Sequence, residues 1–486
     1  MEIEQAVRAA RAHRERSGWD ILDEFAGLLA LPNVSHDLGD VVINGEAIFD
    51  AFDRRGADTV TVAYEGVAPL VVARIGGEGP ETIGFYAHYD GQPVDPAQWS
   101  DAPFRPTLRT APVPRGGEPL AMPAPGDEID PEWRLYARSA ADDKAPIVAM
   151  LAALDALQAE GWRPRSNLVF CFEGEEEIGS PHLARYLEDH RDLLAADVWL
   201  ICDGPVHQSG RPQLAFGIRG ITEMEITVYG PVRDLHSGHY GNWAPNPAQR
   251  LASLLASLKD DEGNVMVEGF YEGTRPIGEA DRTAIAALPA YDDDLRRELG
   301  IAVPEGGGAA LVERLMLPSL NVRGLAAGGV GEHARNVVPA TATASIDIRL
   351  APGDDPVEML DRVEAHIAAA GYHIVREEPT DAERAGHPRL ARIVRTPGYP
   401  GTRLPTDDPL ARRLLAAAVA AAGRQVVAMP TMGGSVPVHA FTDVLGAPIV
   451  IVPIANHDNN QHAADENLRI GNLWYGIDLM AALFAL

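Results

Sequence analysis

The sequence predicts a two-domain α/β protein: a mixed, mostly parallel sheet flanked by helices, with an α+β domain inserted into it. Three observations predict this. The chain has 486 residues, beyond the size at which a single hydrophobic core usually stops growing. From about 60 to 205, strand-like runs alternate with helical ones, the pattern of a mostly parallel sheet covered on both faces. After 214 the character changes to that of an antiparallel sheet with helices, and near 396 the earlier pattern returns. The expected division is therefore 1–213 with 396–486 for the first domain and 214–395 for the inserted one.

The elements follow in order. The N-terminal stretch "MEIEQAVRAARAHRERSGWDILDEFAGLLALP" reads as a charged amphipathic helix, without the uninterrupted apolar core of a signal peptide. "TVTVAYEG" and "PLVVARIG" suggest a hairpin, and "TIGFYAHYD" a buried strand. Residues 105–134 are rich in Pro and Gly and read as a long surface loop. An amphipathic helix, "KAPIVAMLAALDALQAEGW", precedes the strands "NLVFCFEG" and "DVWLICDG", with a helix "SPHLARYLEDHRDLLA" between them. The inserted region contributes strands in "ITEMEITVYG", "LMLPSLNVRGL" and "TATASIDIRLAP", and helices near 247–258 and 356–370. The chain closes with the helix "DDPLARRLLAAAVAAAG", the short strands "QVVAMP" and "PIVIVPI", and a final helix.

Composition narrows the function. Hydrophobic residues make up 46% and charged residues 23%, ordinary for a globular enzyme. A net charge of −29 argues against a nucleic-acid backbone or an anionic membrane as partner. No run approaches the length needed to span a bilayer. Cys171 and Cys202 are the only cysteines, give no disulfide framework, and sit in apolar runs as expected of buried inert thiols. A cytoplasmic protein is the simplest expectation.

The chemistry gathers at strand ends. "YAHYDG" puts His88 and Asp90 at the end of one strand, and "CFEGEEEIGS" ends another with Glu173, Glu175, Glu176 and Glu177. "LICDG" places Asp203 at the end of a third, while "ARSAADDKAP" sets Asp142 and Asp143 just before a helix. In an open α/β sheet, ligands bind outside the carboxyl ends of the strands. His462, in the polar loop "HDNNQHAADENL", can complete the set. So many carboxylates repel one another, and burial costs several kcal/mol per ion unless cations offset it. Each motif alone has an ordinary explanation: a structural histidine, a helix cap, a solvated acidic face. Their conjunction in one alternating region points to divalent cations. Imidazole with carboxylate and no thiolate suits Zn²⁺, or Mn²⁺ or Co²⁺.

The ordered set "AHYDG", "SAADDKAP", "EGEEEIGS", "CDG", "DLHSGHYG", "NVVPA", "IDIR", "GGSVP" and "QHAADEN" resembles the M20 family of dinuclear zinc metallopeptidases, nearest its cytosolic dipeptidase and carnosinase group. The resemblance implies that His88, Asp142 and Asp203 hold one metal ion, and that Asp142 bridges to a second held by Glu177 and His462. It further implies Glu176 as general base, Asp90 as the carboxylate orienting His88, and a cis peptide between Asp142 and Asp143. The inserted domain becomes a lid and dimerisation domain. His236 would stabilise the oxyanion in the partner subunit's site, Arg349 would bind the substrate's terminal carboxylate, and Asn336 and Ser435 would make weaker substrate contacts. The implied protein is a homodimer that hydrolyses dipeptides or small peptides with two divalent ions per subunit, zinc first.

Departures bear on specificity. Asn336 stands where the nearest dipeptidases have Thr, and no counterpart of their extra pocket histidine precedes "DDPLARRLL". The competing expectation is an N-acyl- or N-carbamoyl-amino-acid amidohydrolase with the same dinuclear site. A silent scaffold is disfavoured by the complete ligand set, and phosphoester hydrolysis by the lack of basic phosphate clamps. No role is expected for His207, His239 or His457.

Overall fold

The computed structural model describes residues 1–434 and 438–486; Ser435 lies outside the described residues. Two helices, α1 (Ile3–Leu29) and α2 (Leu38–Asp53), precede the hairpin of β1 (Asp58–Val62) and β2 (Leu70–Ile75). There follow β3 (Thr82–His88), α3 (Lys144–Ala159), β4 (Asn167–Glu173), β5 (Val198–Ile201) and β6 (Gln213–Ala215). The inserted part holds β7 (Gly220–Tyr229), α4 (Pro247–Leu258), α5 (Glu279–Ala286), α6 (Asp292–Glu298), α7 (Leu311–Leu315), β8 (Ser319–Ala326), β9 (Thr341–Leu350), α8 (Pro356–Ala369), β10 (His373–Val375) and β11 (Leu390–Tyr399). The chain ends with α9 (Pro409–Ala422), β12 (Val427–Met429), β13 (Ile449–Ile451) and α10 (Ile470–Phe484).

The larger sheet runs β1-β2-β4-β3-β5-β13-β6-β12. Its centre is parallel, from β4 through β3 and β5 to β13, and its β1-β2 edge is antiparallel. The strands read as unbroken apolar runs because both faces are covered. Alternation still sorts their side chains: Phe85, Phe170 and Phe172 face α1, α3 and α10, while Tyr86, Cys171 and Trp199 pack with Phe441 on the opposite side. Gly84 is required by that packing, since a Cβ there would lie 2.4 Å from the Trp199 ring. Both cysteines are free and buried.

The second sheet runs β8-β9-β7-β11-β10, antiparallel except for the β10-β11 edge. Helices α4 and α8 cover one face with Leu251, Leu254, Leu360 and Val363 against Ile226, Val228, Ile346 and Ile348. Sheet membership sets the crossover points between the two parts. β6 pairs with β12 in the first sheet, and β11 stays in the second as far as Tyr399.

Two expectations are corrected. The 105–134 stretch carries the short strands Thr107–Arg109 and Pro119–Leu120, which join Arg134–Tyr136 and Asn467–Arg469 in a four-stranded sheet. Arg109 braces it from within, binding Asp101 at 2.6 Å and the Gly117 carbonyl at 2.7 Å. The helix expected in "SPHLARYLEDHRDLLA" is two, Leu183–Asp189 and Arg191–Leu194, because the backbone at His190 leaves the helical region. Among the described residues, no helix is long and apolar enough to cross a membrane.

Candidate metal centre

The carboxyl ends of β3, β4 and β5 converge, and the loops before α3 and after β13 close over them. The ligand-type atoms fall into two groups, His88 with Asp143 and Asp203, and Asp142 with Glu177 and His462, each within 4.8 Å. Asp142 joins the groups. Its Oδ1 lies 2.9 Å from His88 Nε2 and its Oδ2 3.0 Å from His462 Nε2. Glu177 Oε2 is 3.3 Å from the same His462 nitrogen and accepts a bond from Gln92 at 2.6 Å. Glu176 reaches within 4.0 Å of His88.

Local structure explains why these groups are free to meet. Asp143 stands at the N-cap of α3 but makes no capping bond, so its carboxylate is not spent on the helix end. Its Oδ2 accepts the His88 amide, while its buried Oδ1 has no partner among the described residues. The peptide between Asp142 and Asp143 is cis, as the resemblance implied. Asp90 supports two elements at once. It faces His88 Nδ1 at 3.4 Å, and its oxygens accept the amides of Glu176 at 3.2 Å and Glu177 at 3.1 Å.

The four glutamates of "CFEGEEE" divide their work. Glu173 is buried and takes a 2.6 Å bond from the Tyr86 hydroxyl, and Glu175 pairs with His182 at 2.7 Å. Only Glu176 and Glu177 turn toward the cluster, on a single 3₁₀ turn (Glu176–Ile178).

Electrostatics match a site built for cations. Burial pushes Glu176 up to about 9, with Asp203, Asp142 and Glu177 adding to it while His88 opposes. Burial and the charge of Asp142 raise Asp203 to about 6. Burial works against charge on Asp142, but hydrogen bonds from His462 and His88 hold it far below the usual carboxylate range. His462 is raised to about 10 by its bonds to Asp142 and Glu177. Protons here neutralise a pile of carboxylates, the place a divalent cation takes.

The donors fit such ions: nitrogen and oxygen atoms only, with an orphaned buried carboxylate oxygen on Asp143. When bound, divalent ions supply Lewis acidity toward a carbonyl and lower the pKa of a water.

Sequence reasoning missed Gln92, which holds Glu177. It placed Asp143 among the converging carboxylates without giving it a ligand role, and gave Glu466 no structural role. In the structure Asp143 belongs to the His88 group, and Glu466 organises the loops behind Asp142. The only local signals were their positions in "DDK", "HYDGQ" and "HAADEN". Of the remaining sequence candidates, His236 and Asn336 lie exposed on the ribbon where Leu235–His236 pairs with Val337–Val338. His236 Nδ1 accepts the Gly238 amide, and its ring centroid lies 4.6 Å from that of His239 with the planes tilted by 36°. Arg349, on β9, lies 3.3 Å from Asp347. No contact among the described residues joins the His236 or Asn336 side chain to the cluster.

A cavity of about 930 Å³ opens beside the centre, bordered by Pro205, Thr431, Met432 and Gln461 on one side and Leu288, Leu311 and Leu315 on the other. His207 and His457 also line it.

Carboxylates and imidazoles grouped at the ends of a mixed sheet, under a second α+β domain, define the class: a metal-dependent hydrolase. The chain matches "Peptidase family M20/M25/M40" over residues 84–485 and belongs to that family, as a metallopeptidase. It is 25% identical to the yeast (Saccharomyces cerevisiae) Cys-Gly metallodipeptidase DUG1, over 85% of this chain and 81% of that protein. It is also 25% identical to the human Beta-Ala-His dipeptidase, over 86% of this chain and 77% of that one. Among solved structures, the M20 family metallo-carboxypeptidase Sso-CP2 from Sulfolobus solfataricus superposes with a TM-score of 0.75 at 26% identity, covering 96% of this chain and 98% of the other.

Proposed function

We propose that the protein hydrolyses the amide bond of dipeptides or small peptides, with a water activated between two divalent cations and Glu176 as general base. The observation that carries this reading is the placement of Asp142, whose two oxygens face His88 and His462 separately. His88, Asp142 and Asp203 would hold one ion, with Asp143 beside them in the same group, and Asp142, Glu177 and His462 would hold the other. Zn²⁺ suits this donor set best, with Mn²⁺ or Co²⁺ as alternatives.

Glu176 takes the proton of the attacking water as the C–O bond forms and the carbonyl π bond opens to an oxyanion. It then returns that proton to the nitrogen as the oxyanion collapses and the amide C–N bond breaks. Asp90 keeps Glu176 and Glu177 in register through their amides while holding the His88 ring. Arg349 grips the terminal carboxylate of the substrate, as a planar guanidinium does well. Asn336 and Ser435 make the weaker substrate contacts. The inserted domain, 214–395, acts as lid and dimerisation domain over the part formed by 1–213 and 396–486.

His236 reaches the active site of a second copy and steadies the developing oxyanion there. Its ribbon supports that role, because Tyr240 and Trp243 beside it are solvent-exposed, Trp243 at 81%, and such aromatics favour interfaces. The names of the relatives, a Cys-Gly and a Beta-Ala-His dipeptidase, support a dipeptide as the substrate class.

The second reading, an N-acyl- or N-carbamoyl-amino-acid amidohydrolase, draws on Asn336 standing where the nearest dipeptidases have Thr. Amino-acid release from free dipeptides, compared with their N-acetylated or N-carbamoylated single-residue analogues, tests the choice. Faster turnover of the free dipeptides supports the dipeptidase reading. Faster turnover of the acylated compounds replaces it with the amidohydrolase.

A further inference from the structure

A second cavity, of about 320 Å³, lies inside the inserted domain between β8 and the segment carrying α6 and α7. Val265, Leu295, Leu299, Ile301 and Leu320 make its walls apolar. Six charged side chains also line it: Arg219, Lys259, Arg296, Arg314, Asp292 and Glu305. Lys259 is neutralised by Glu305 at 2.9 Å, and Arg296 lies 3.6 Å from Asp293. The Asp292 carboxylate accepts the Leu311 amide at 3.0 Å.

Arg219 and Arg314 are different. Among the described residues, neither has a carboxylate within 4.0 Å. Arg314 reaches only the Gly263 carbonyl, at 3.4 Å. Arg219 is 5% exposed; one of its nitrogens donates to the Leu317 carbonyl and to Ser319 Oγ, both at 2.8 Å, and its Nε has no partner. Asp347 and Asp354 act on it only from a distance, against the like charge of Arg349. A buried cation without a counter-ion is costly, and an apolar cavity that ends on one is shaped for an amphipathic anion.

We propose that this cavity binds a small carboxylic acid, with its hydrocarbon part among Leu295, Leu299 and Ile301 and its carboxylate on the Arg219 guanidinium. The site is separate from the metal centre and takes a ligand of different chemistry from a dipeptide, which carries an ammonium group. Asp292, Leu311 and Leu315 line both this cavity and the larger one beside the metal centre. The ligand therefore rests against the wall that the two cavities share.

Calorimetric titration of octanoate into the metal-loaded protein tests this, with 1-octanol as the neutral counterpart. The expected result is saturable binding of one octanoate per chain, weakened about ten-fold or more by Arg219→Met, as removal of a charged hydrogen bond predicts. Octanol should bind the wild type and Arg219→Met alike. Leu295→Trp, which fills the cavity and leaves Arg219 in place, should abolish octanoate binding. Absence of saturable binding overturns the proposal, and so does equal affinity in wild type and either variant. Binding that survives Leu295→Trp but disappears with a chelator places the carboxylate on the metal centre, which also overturns it.

Discussion

Arg138 and Glu466 form a buried ion pair at 2.7 Å, with side chains 3% and 0% exposed. The pair is more than electrostatic, because the same carboxylate accepts the amides of Ser139 at 3.0 Å, Ala141 at 2.8 Å and Asp142 at 3.0 Å. Glu466 lies four residues after His462, so one side chain ties the loop bearing Asp142 to the loop bearing His462. Backbone bending concentrates at this junction: Ser139, Asn460, His462 and Asp465 all have φ near +60° (63, 58, 60 and 59). Residues other than glycine hold such conformations only where their surroundings over-determine them, as functional sites do.

Glu466→Ala strands the Arg138 charge and three amide donors. Chemical denaturation should show a loss of about 3–5 kcal/mol, the range for breaking a buried pair. Metal content should fall in the fraction that remains folded. Unchanged stability and full metal occupancy would remove Glu466 from this organising role.

Glu176→Gln keeps the shape of the side chain and removes its basicity. Steady-state kinetics should find kcat lowered by about 10²–10⁴-fold, while the protein still binds two metal ions per chain. A variant that loses its metal would instead make Glu176 a ligand.

Asp90→Ala releases both the His88 ring and the turn of Glu176 and Glu177. Competition with a chromogenic chelator should report about 10–100-fold weaker metal binding, the usual cost of losing a carboxylate behind a ligand histidine. Wild-type affinity would show that Asp90 is not needed to position the ligands.

Glu364 provides a pH test away from the centre. Burial opposes its charge, but Arg376 at 2.5 Å and Arg395 at 2.6 Å outweigh it and hold the carboxyl near 2, against an ordinary value of 4.5. A depressed folded-state pKa stabilises above the unfolded value, and that stability is lost as pH falls toward the folded one. The stability gap between wild type and Glu364→Gln should therefore be full at neutral pH and close between about pH 4.5 and pH 2. A gap that is constant through that window would contradict the ion-pair account.

The strand-end chemistry was legible because it is local: "AHYDG", "EGEEEIGS" and "CDG" each follow an apolar run that can only be a buried strand. Charge and spacing alone do not separate Glu176 and Glu177 from Glu173 and Glu175, and only the family resemblance singles them out, because Tyr86 and His182 are brought to the latter pair only by folding. The 105–134 region read as a loop because its strands are two or three residues long and pair with Asn467–Arg469, far along the chain. Asp143 looked like an ordinary helix cap, and only the geometry reveals that it caps nothing.

The most direct test of the central claim is to strip the protein with a chelator and follow hydrolysis of a free dipeptide as Zn²⁺ is added back. The account predicts no activity in the stripped protein and a plateau at two equivalents per chain. Full activity in excess chelator, or a plateau at one equivalent, would contradict a centre in which Asp142 bridges two ions.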